Sequence, residues 1–207
     1  MSSKKEIRMA ENYEITERIS IGDRDVVFGM DMDNELPYFC SFLVDNGIYY
    51  FFPDAKAGCD YAEMMELFAD RIKEQCRKVR EEQEKVTIKR EVFTSGMCVP
   101  AGDSDLMGKV VAVRPEVLKP EYRSCEHQLI YITGGNGARA ETLGTACFGT
   151  NLYSGKSGRW ERYEILGEVK PECLPDWAKA KVKEIRRENI EEQIREKRRA
   201  VRKDEGR

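Results

Sequence analysis

The clearest element of the sequence is the stretch DYAEMMELFADRIKEQCRKV at residues 60–79. Apolar side chains recur in it at spacings of three and four residues, which is typical of one face of an α-helix, and they are Tyr61, Met65, Phe68, Ile72, Cys76 and Val79. Charged residues, Arg71 among them, lie between these positions and are expected on the solvent side. Asp60 can cap the helix, and Glu63 completes a capping box. The pattern predicts a long amphipathic helix that ends near Lys85 and packs across a small sheet.

Two β-hairpins are predicted before this helix. Residues 13–19 alternate with a period of two, and a second apolar run returns at 25–30. A further pair of runs, 38–44 and 48–52, flanks Asp45-Asn46-Gly47, and Asn-Gly between β-prone runs is the strongest short-range hairpin signal. Residues 13–85 are therefore predicted to form a ββββα module behind a flexible N-terminal segment, residues 1–12.

A second β-rich module is predicted at residues 86–175. The expected strands are 86–93, 109–114, 128–133, 145–152 and 159–169, and glycine-rich turns separate them. Strands this short and this dense are typical of a bent sheet or a small barrel. Residues 176–207 are predicted to form a charged C-terminal helix whose apolar stripe is too thin to bury deeply. The predicted fold class is α+β, with two small antiparallel β modules.

The composition limits the classes of function. The 207 residues carry 35 Lys and Arg against 38 Asp and Glu, a net charge of −3. Residues 176–207 hold twelve basic and eight acidic residues, so the rest of the chain has a charge of −7. An acidic body with a basic tail suits a basic protein partner better than general DNA binding. No apolar run approaches the ~18 residues of a membrane span, and the N-terminus lacks the apolar stretch of a signal peptide, so a cytoplasmic protein is expected.

The tripeptide Cys125-Glu126-His127 is the most chemically suggestive motif. On a strand, Cys125 and His127 would point to the same face, and that spacing allows both to bind one metal ion. Zinc is the candidate if Cys98, Cys147 or Cys173 approaches them. The alternative is a histidine at a strand start beside buried, reduced thiols, since the seven cysteines include no C-x-x-C pair. A Cys–His nucleophile is disfavoured because these side chains would lie roughly 6–7 Å apart. We expect no catalytic site and no cofactor unless the cysteines converge.

Lys156, Arg159, Trp160 and Arg162 form the candidate binding cluster. An aromatic ring among cations can stack on a base while the cations neutralise phosphate. Because Trp160 and Arg162 are two residues apart on a predicted strand, we expect them on the same face. The alternative is that Trp160 is a core residue. The nearby loop Gly134-Gly135-Asn136-Gly137 could cradle a phosphate, but its spacing matches no phosphate-binding motif and favours a structural turn.

Several longer strings resemble one family. They are Tyr61-Ala62-Glu63-Met64-Met65-Glu66, Ser124-Cys125-Glu126-His127-Gln128-Leu129-Ile130-Tyr131, Gly134-Gly135-Asn136-Gly137-Ala138, Thr150-Asn151-Leu152-Tyr153-Ser154-Gly155, Arg159-Trp160-Glu161-Arg162, Ile165-Leu166-Gly167-Glu168-Val169-Lys170-Pro171-Glu172 and Leu174-Pro175-Asp176-Trp177-Ala178. Over most of residues 13–178 the sequence resembles the uncharacterised accessory proteins of conjugative and integrative mobile elements in gut Firmicutes. Such accessory proteins serve transfer, regulation or evasion of host defence, and this class includes protein inhibitors of CRISPR–Cas nucleases. The resemblance carries no catalytic assignment.

The sequence thus predicts a non-catalytic accessory protein of a mobile genetic element that binds a macromolecule. The most specific form of this prediction is an inhibitor of a host defence nuclease such as CRISPR–Cas9. Its partner would be a protein, and the sequence does not predict an oligomeric state. Two alternatives remain. One is a nucleic-acid-binding regulatory factor that uses Lys156, Arg159, Trp160, Arg162 and the tail. The other is a metal-dependent enzyme built around Cys125 and His127.

Overall fold

The computed structural model describes residues 9–45, 49–102 and 104–204, without the side chains of 192, 193 and 196–204. The chain divides into two compact units, Met1–Thr87 (unit 1) and Ile88–Arg207 (unit 2). The predicted Asn46-Gly47 turn and most of the predicted flexible segment 1–12 lie outside the described residues. The predicted α+β class with antiparallel sheets is confirmed.

Unit 1 contains an antiparallel sheet. Its strands are β1 (Met9–Ala10), β2 (Tyr13–Ile21), β3 (Arg24–Met30), β4 (Tyr38–Asp45), β5 (Tyr50–Phe51) and β6 (Lys56–Gly58). They follow the order β1-β2-β3-β4-β5, and β6 also pairs with β4. Both predicted hairpins are confirmed, because β2 pairs with β3 and β4 pairs with β5. The flexible-terminus prediction is wrong for Met9 and Ala10, since these residues pair with β2 and Ala10 is buried.

The predicted helix is confirmed as α1 (Tyr61–Glu84), and the Asp60 carboxylate accepts the backbone N–H of Glu63. The buried positions, however, are Met64, Phe68, Arg71, Gln75 and Val79. These positions make a continuous line at spacings of three and four residues, displaced from the predicted stripe. The placement of Arg71 on the solvent side was wrong, because hydropathy gives no signal for a polar residue that the fold buries.

Arg71 is buried between α1 and the sheet. Its guanidinium donates hydrogen bonds to the Cys40 Sγ, at 3.4 Å, and to the backbone carbonyl of Asp54. It also lies over the Phe42 ring, 5.1 Å from the centroid. Burial raises the pKa of the Cys40 thiol, although the Arg71 charge opposes this effect. Arg71 therefore holds the backbone at Asp54 against α1.

Gln75 provides a first prediction. Its side chain is fully buried, and neither amide atom has a hydrogen-bond partner in the described part of the chain. Replacing Gln75 by Met should raise the free energy of unfolding by about 1–2 kcal/mol, because the unpaired amide no longer has to be desolvated. Urea unfolding measures the change, and Gln83→Met on the half-exposed end of α1 serves as the control. A loss of stability in Gln75→Met would contradict the prediction.

Unit 2 contains the second antiparallel sheet. Its strands are β7 (Cys98–Pro100), β8 (Val110–Val113), β9 (Leu129–Gly134), β10 (Ala146–Asn151), β11 (Ser157–Glu161) and β12 (Ile165–Val169). Their order is β11-β10-β9-β8-β12-β7. The strands predicted near 110, 130 and 148 are confirmed. The predicted strand 159–169 is wrong, because a 3-10 turn at Arg162–Glu164 divides it into β11 and β12. The predicted strand 86–93 is also wrong, and β7 was not predicted.

Both faces of the central strands of unit 2 are buried. Alternate residues of β8 and β9 enter two separate clusters, one with Val110 and Leu129 and the other with Val111 and Ile130. The predicted C-terminal helix is confirmed as α3 (Asp176–Asp204), and its first turns pack on the Val110 cluster through Ala178 and Val182. Ile190 and Ile194, further along α3, are exposed. None of the helices in the described ranges is both long and apolar enough to cross a bilayer.

Candidate functional site

A groove opens on the face of the unit 1 sheet that points away from α1. We call it the aromatic groove, and it is lined by Ala10, Glu11, Tyr13, Phe39, Phe51, Phe52, Ala55, Lys56 and Ala57. Its volume is about 460 Å³, within the usual range of ligand pockets. Tyr13 and Phe39 belong to a small buried cluster on this face, separate from the cluster beneath α1.

Aromatic rings run in series from the buried cluster to the surface. Tyr13 stacks on Phe39 with a centroid distance of 5.0 Å, and Phe39 meets Phe52 edge to face at 6.0 Å. Phe52 in turn meets Tyr50 at 5.9 Å. Tyr50 and its neighbour Phe51 are half exposed, at 51% and 45%. Of these two residues, Phe51 lines the groove beside Phe52, and such exposed aromatic surface is a common feature of binding sites.

The walls of the aromatic groove are held by hydrogen bonds. The carbonyl of Pro53 accepts from the Ser41 Oγ, at 2.8 Å, and from the Phe42 N–H, at 3.2 Å. Together with the Arg71 bond to Asp54, these contacts fix the chain that follows β5. On the other side, the Tyr13 hydroxyl donates to the Leu36 carbonyl at 2.9 Å. A groove built before its ligand arrives loses less entropy on binding.

Unit 1 also carries the acidic excess of the chain. It holds twelve Lys and Arg against nineteen Asp and Glu, a balance of −7, whereas residues 88–175 hold eleven of each. The lining of the aromatic groove holds Glu11 and Lys56, which offset each other, and the loop held through Leu36 adds exposed Asp33 and Glu35. The surroundings of the groove therefore favour a positively charged partner.

Arg162, one of the predicted binding residues, is occupied by the protein's own backbone. Its Nε donates to the Gly102 carbonyl at 3.0 Å, and its Nη2 donates to Ala101, Gly102 and Ser104 at 3.1, 2.8 and 2.6 Å. Its Nη1 donates to the carbonyls of Gly137 and Arg139. The guanidinium thus ties two loops of unit 2 together and has no donor left for phosphate.

The other three predicted binding residues do not assemble around Arg162. Trp160 is half-buried and packs against the cluster that contains Cys147. Arg159 pairs across the sheet with exposed Phe148 and forms an ion pair with Glu161 at 2.5 Å, and Lys156 is exposed. The shared face predicted for Trp160 and Arg162 is wrong, because β11 ends at Glu161 and Arg162 begins the 3-10 turn.

Cys125, Glu126 and His127 lie in α2 (Cys125–Gln128), a single helical turn, so the prediction of a strand here is wrong. The Cys125 thiol is fully buried, its Sγ lies 3.4 Å from the Lys89 carbonyl, and burial raises its pKa. The His127 ring lies 4.8 Å from the Tyr122 ring. In a helix, residues two apart point in different directions, so the geometry that would have favoured a shared metal ion does not occur.

The remaining cysteines do not complete a metal site. Cys98 shares the core cluster of Cys125, with Cys173 packed beside it, whereas Cys147 belongs to the other cluster. Burial and the neighbouring Cys173 raise the pKa of the Cys98 thiol to about 11, which disfavours the thiolate that binds metal. Across the described residues, no group of three or more His, Cys, Asp or Glu side chains could hold a metal ion.

The glycine-rich loop is a site of close backbone approach. Gly135 has a φ of +102°, and a Cβ there would lie 2.2 Å from the Ala146 carbonyl oxygen. A Cβ on Gly137 would lie 2.2 Å from the Thr145 carbonyl oxygen. Glycine at these positions allows the 3-10 turn Asn136–Ala138 to pack on the start of β10. The geometry fits the structural turn rather than a phosphate cradle.

No family model, curated protein or solved structure matches the chain. The aromatic groove was not predicted, although the sequence holds one signal for it. Four aromatic residues follow one another at positions 49–52. A half-buried strand normally alternates apolar and polar residues, so this run must leave aromatic rings exposed on one face.

Proposed function

We propose that this chain is a non-catalytic accessory protein that binds another protein, and that the aromatic groove of unit 1 docks this partner. The observation that carries the proposal is the set of aromatic rings that line the groove, in which half-exposed Phe51 lies beside the contacting rings of Tyr13, Phe39 and Phe52. Binding energy in protein interfaces concentrates in such aromatic anchors. The burial of the Cys125 thiol argues against the metal-dependent enzyme, and the commitment of Arg162 to backbone carbonyls argues against the nucleic-acid-binding factor.

The chemistry of unit 1 suggests the kind of partner. Its charge of −7 favours a basic segment that also presents apolar side chains to the groove. The nucleic-acid channel of a nuclease is a basic surface of this kind. With the resemblance to mobile-element accessory proteins, this favours an inhibitor of a host defence nuclease such as CRISPR–Cas9, in which the acidic unit occupies the channel or immobilises a nuclease domain.

Pull-down with CRISPR–Cas9, with and without guide RNA, followed by a DNA-cleavage assay, tests the nuclease proposal. We expect capture and inhibition, and both should weaken as salt screens the charges. Unimpaired cleavage at micromolar protein together with no capture would exclude this nuclease. The broader proposal has its own probe, a lysine- and leucine-rich amphipathic peptide, with a glutamate-for-lysine version as the control. Only the basic peptide should bind.

Phe51→Ala should weaken the binding of the basic peptide, and of a captured nuclease, at least about 10-fold, because an aromatic anchor is lost. Phe148→Ala is a matched control, since Phe148 in unit 2 is exposed to a similar extent, 47% against 45%. Each variant should keep its free energy of unfolding within about 0.5 kcal/mol of the wild type. Equal affinities of the two variants, measured by isothermal titration calorimetry, would contradict the assignment to the groove.

A further inference from the structure

We propose a second binding site, in unit 2, for a small molecule that combines a phosphate or carboxylate group with an apolar body. The site is a cavity of about 390 Å³ beside the 3-10 turn that separates β11 from β12. Its lining includes Arg114, Thr145, Arg162 and Tyr163, together with apolar Ile165 and Leu166. The volume suits a small ligand.

The lining of this cavity is positively charged. It contains two guanidinium groups, and no carboxylate among the described residues lines it. The acidic residues on either side of Arg162 and Tyr163 are engaged elsewhere, because the Glu161 carboxylate pairs with Arg159 and the Glu164 carboxylate accepts the Glu161 N–H at 2.8 Å. A cavity with unneutralised positive charge stabilises an anion.

The two arginines have different roles. Arg162 has committed its N–H groups to carbonyls and supplies charge alone. Within the described ranges, the Arg114 side chain bonds through its Nε, which donates to the Tyr163 carbonyl at 2.8 Å, and its backbone N–H donates to the Glu164 carbonyl at 2.8 Å. These two bonds hold Arg114 in place, and its Nη1 and Nη2 remain available. A planar guanidinium with free Nη groups is suited to bidentate binding of an oxyanion.

The apolar part of the lining indicates the rest of the ligand. Ile165 is buried and Leu166 half-buried, and both follow the turn directly on β12. Their side chains form an apolar wall of the cavity, and an inorganic ion would leave this apolar surface in contact with water. An organic phosphate monoester or carboxylate would cover this wall and so bind more tightly than the free ion.

Isothermal titration of the full chain with phenyl phosphate, inorganic phosphate and phenol tests the proposal. Phenyl phosphate should bind saturably and at least about 5-fold more tightly than inorganic phosphate, and phenol should not bind. Benzoate in place of phenyl phosphate distinguishes a carboxylate from a phosphate ligand. Arg114→Gln should weaken the binding at least about 10-fold, and Arg114→Lys, which keeps the charge without the planar fork, by less.

Arg123→Gln is the matched control. Arg123 is also an exposed arginine of unit 2 whose Nε donates to a backbone carbonyl, that of Leu118 at 3.1 Å, but it lies outside the cavity lining. Arg123→Gln should leave the affinity for phenyl phosphate unchanged. Phe51→Ala in unit 1 should also leave it unchanged, so this test is independent of the proposed function. A failure of phenyl phosphate to saturate below about 10 mM, or equal losses in Arg114→Gln and Arg123→Gln, would overturn the proposal.

Discussion

Replacing Arg162 by Met is expected to lower the free energy of unfolding of unit 2 by at least about 3 kcal/mol. The guanidinium donates to five backbone carbonyls in two loops, at residues 101–104 and 137–139. The Met side chain can fill part of the space but donates no hydrogen bond. The carbonyls that lie away from water would lose their partners, and the two loops would lose their common anchor.

Thermal and urea unfolding followed by circular dichroism measures the effect of Arg162→Met. Arg159→Met is the control, because Arg159 is close in sequence, has a side chain that is 59% exposed, and makes one ion pair. It should cost less than about 1 kcal/mol. Arg162→Lys should resemble Arg162→Met, since an ammonium group cannot reach two loops with a planar fork. Equal stability of the Arg162 and Arg159 variants would show that the backbone contacts contribute little.

The contacts of Arg162 limit which variants can test the nucleic-acid alternative. A double change of Arg159 and Arg162 to Ala would not isolate the predicted nucleic-acid surface, because the loss of the Arg162 contacts also destabilises unit 2. Lys156→Ala with Arg159→Ala tests the predicted surface and leaves the Arg162 contacts intact. Salt-dependent nucleic-acid binding that this pair of changes removes would favour the alternative.

The secondary-structure elements that were predicted correctly are those that the local sequence determines. The first hairpin follows from the alternation of apolar and polar residues, and α1 follows from helical spacing and the Asp60 cap. The errors come from long-range polar contacts. Arg71 is buried because Cys40, Phe42 and Asp54 meet it there. The strand predicted at 159–169 is divided where Arg162 turns toward two loops that are distant in sequence.

The candidate sites were less predictable than the fold. The chemistry of Cys125, Glu126 and His127 suggests a metal site, yet in the structure Cys125, Glu126 and the following Gln128 hold residues 89–93, which belong to none of the described strands. The Cys125 N–H donates to the Glu91 carbonyl, and the Gln128 amide pairs with the backbone of Phe93. The aromatic groove depends on the packing of Phe39 on Phe52, which the pattern of either strand alone does not specify.

The buried carboxylate of Glu126 gives the last prediction, a loss of about 3 kcal/mol of stability in Glu126→Ala. Its side chain is 1% exposed and pairs with Arg90 at 2.7 Å, and the Ser124 hydroxyl donates to the same oxygen at 2.6 Å. Removing the carboxylate would leave Arg90 without its ion-pair partner and remove one of the contacts between residues 89–93 and α2. Glu168→Ala is the control, because its pair with Lys109 is half exposed and should contribute less than about 1 kcal/mol.

Glu126 should also make stability depend on pH. Burial acts to raise the pKa of this carboxyl, but the hydrogen bonds from Ser124, its own backbone N–H and Arg90 outweigh it, so the pKa lies below the ordinary value of 4.5. A carboxyl whose pKa is lower in the folded state stabilises the protein fully above its unfolded pKa, and this contribution is lost as the pH falls toward the folded pKa. The difference in unfolding free energy between wild type and Glu126→Gln should therefore be constant at neutral pH and shrink below pH 4.5. Urea unfolding at a series of pH values measures it, and a difference that stays constant into the acid range would show that Glu126 does not contribute through its charge.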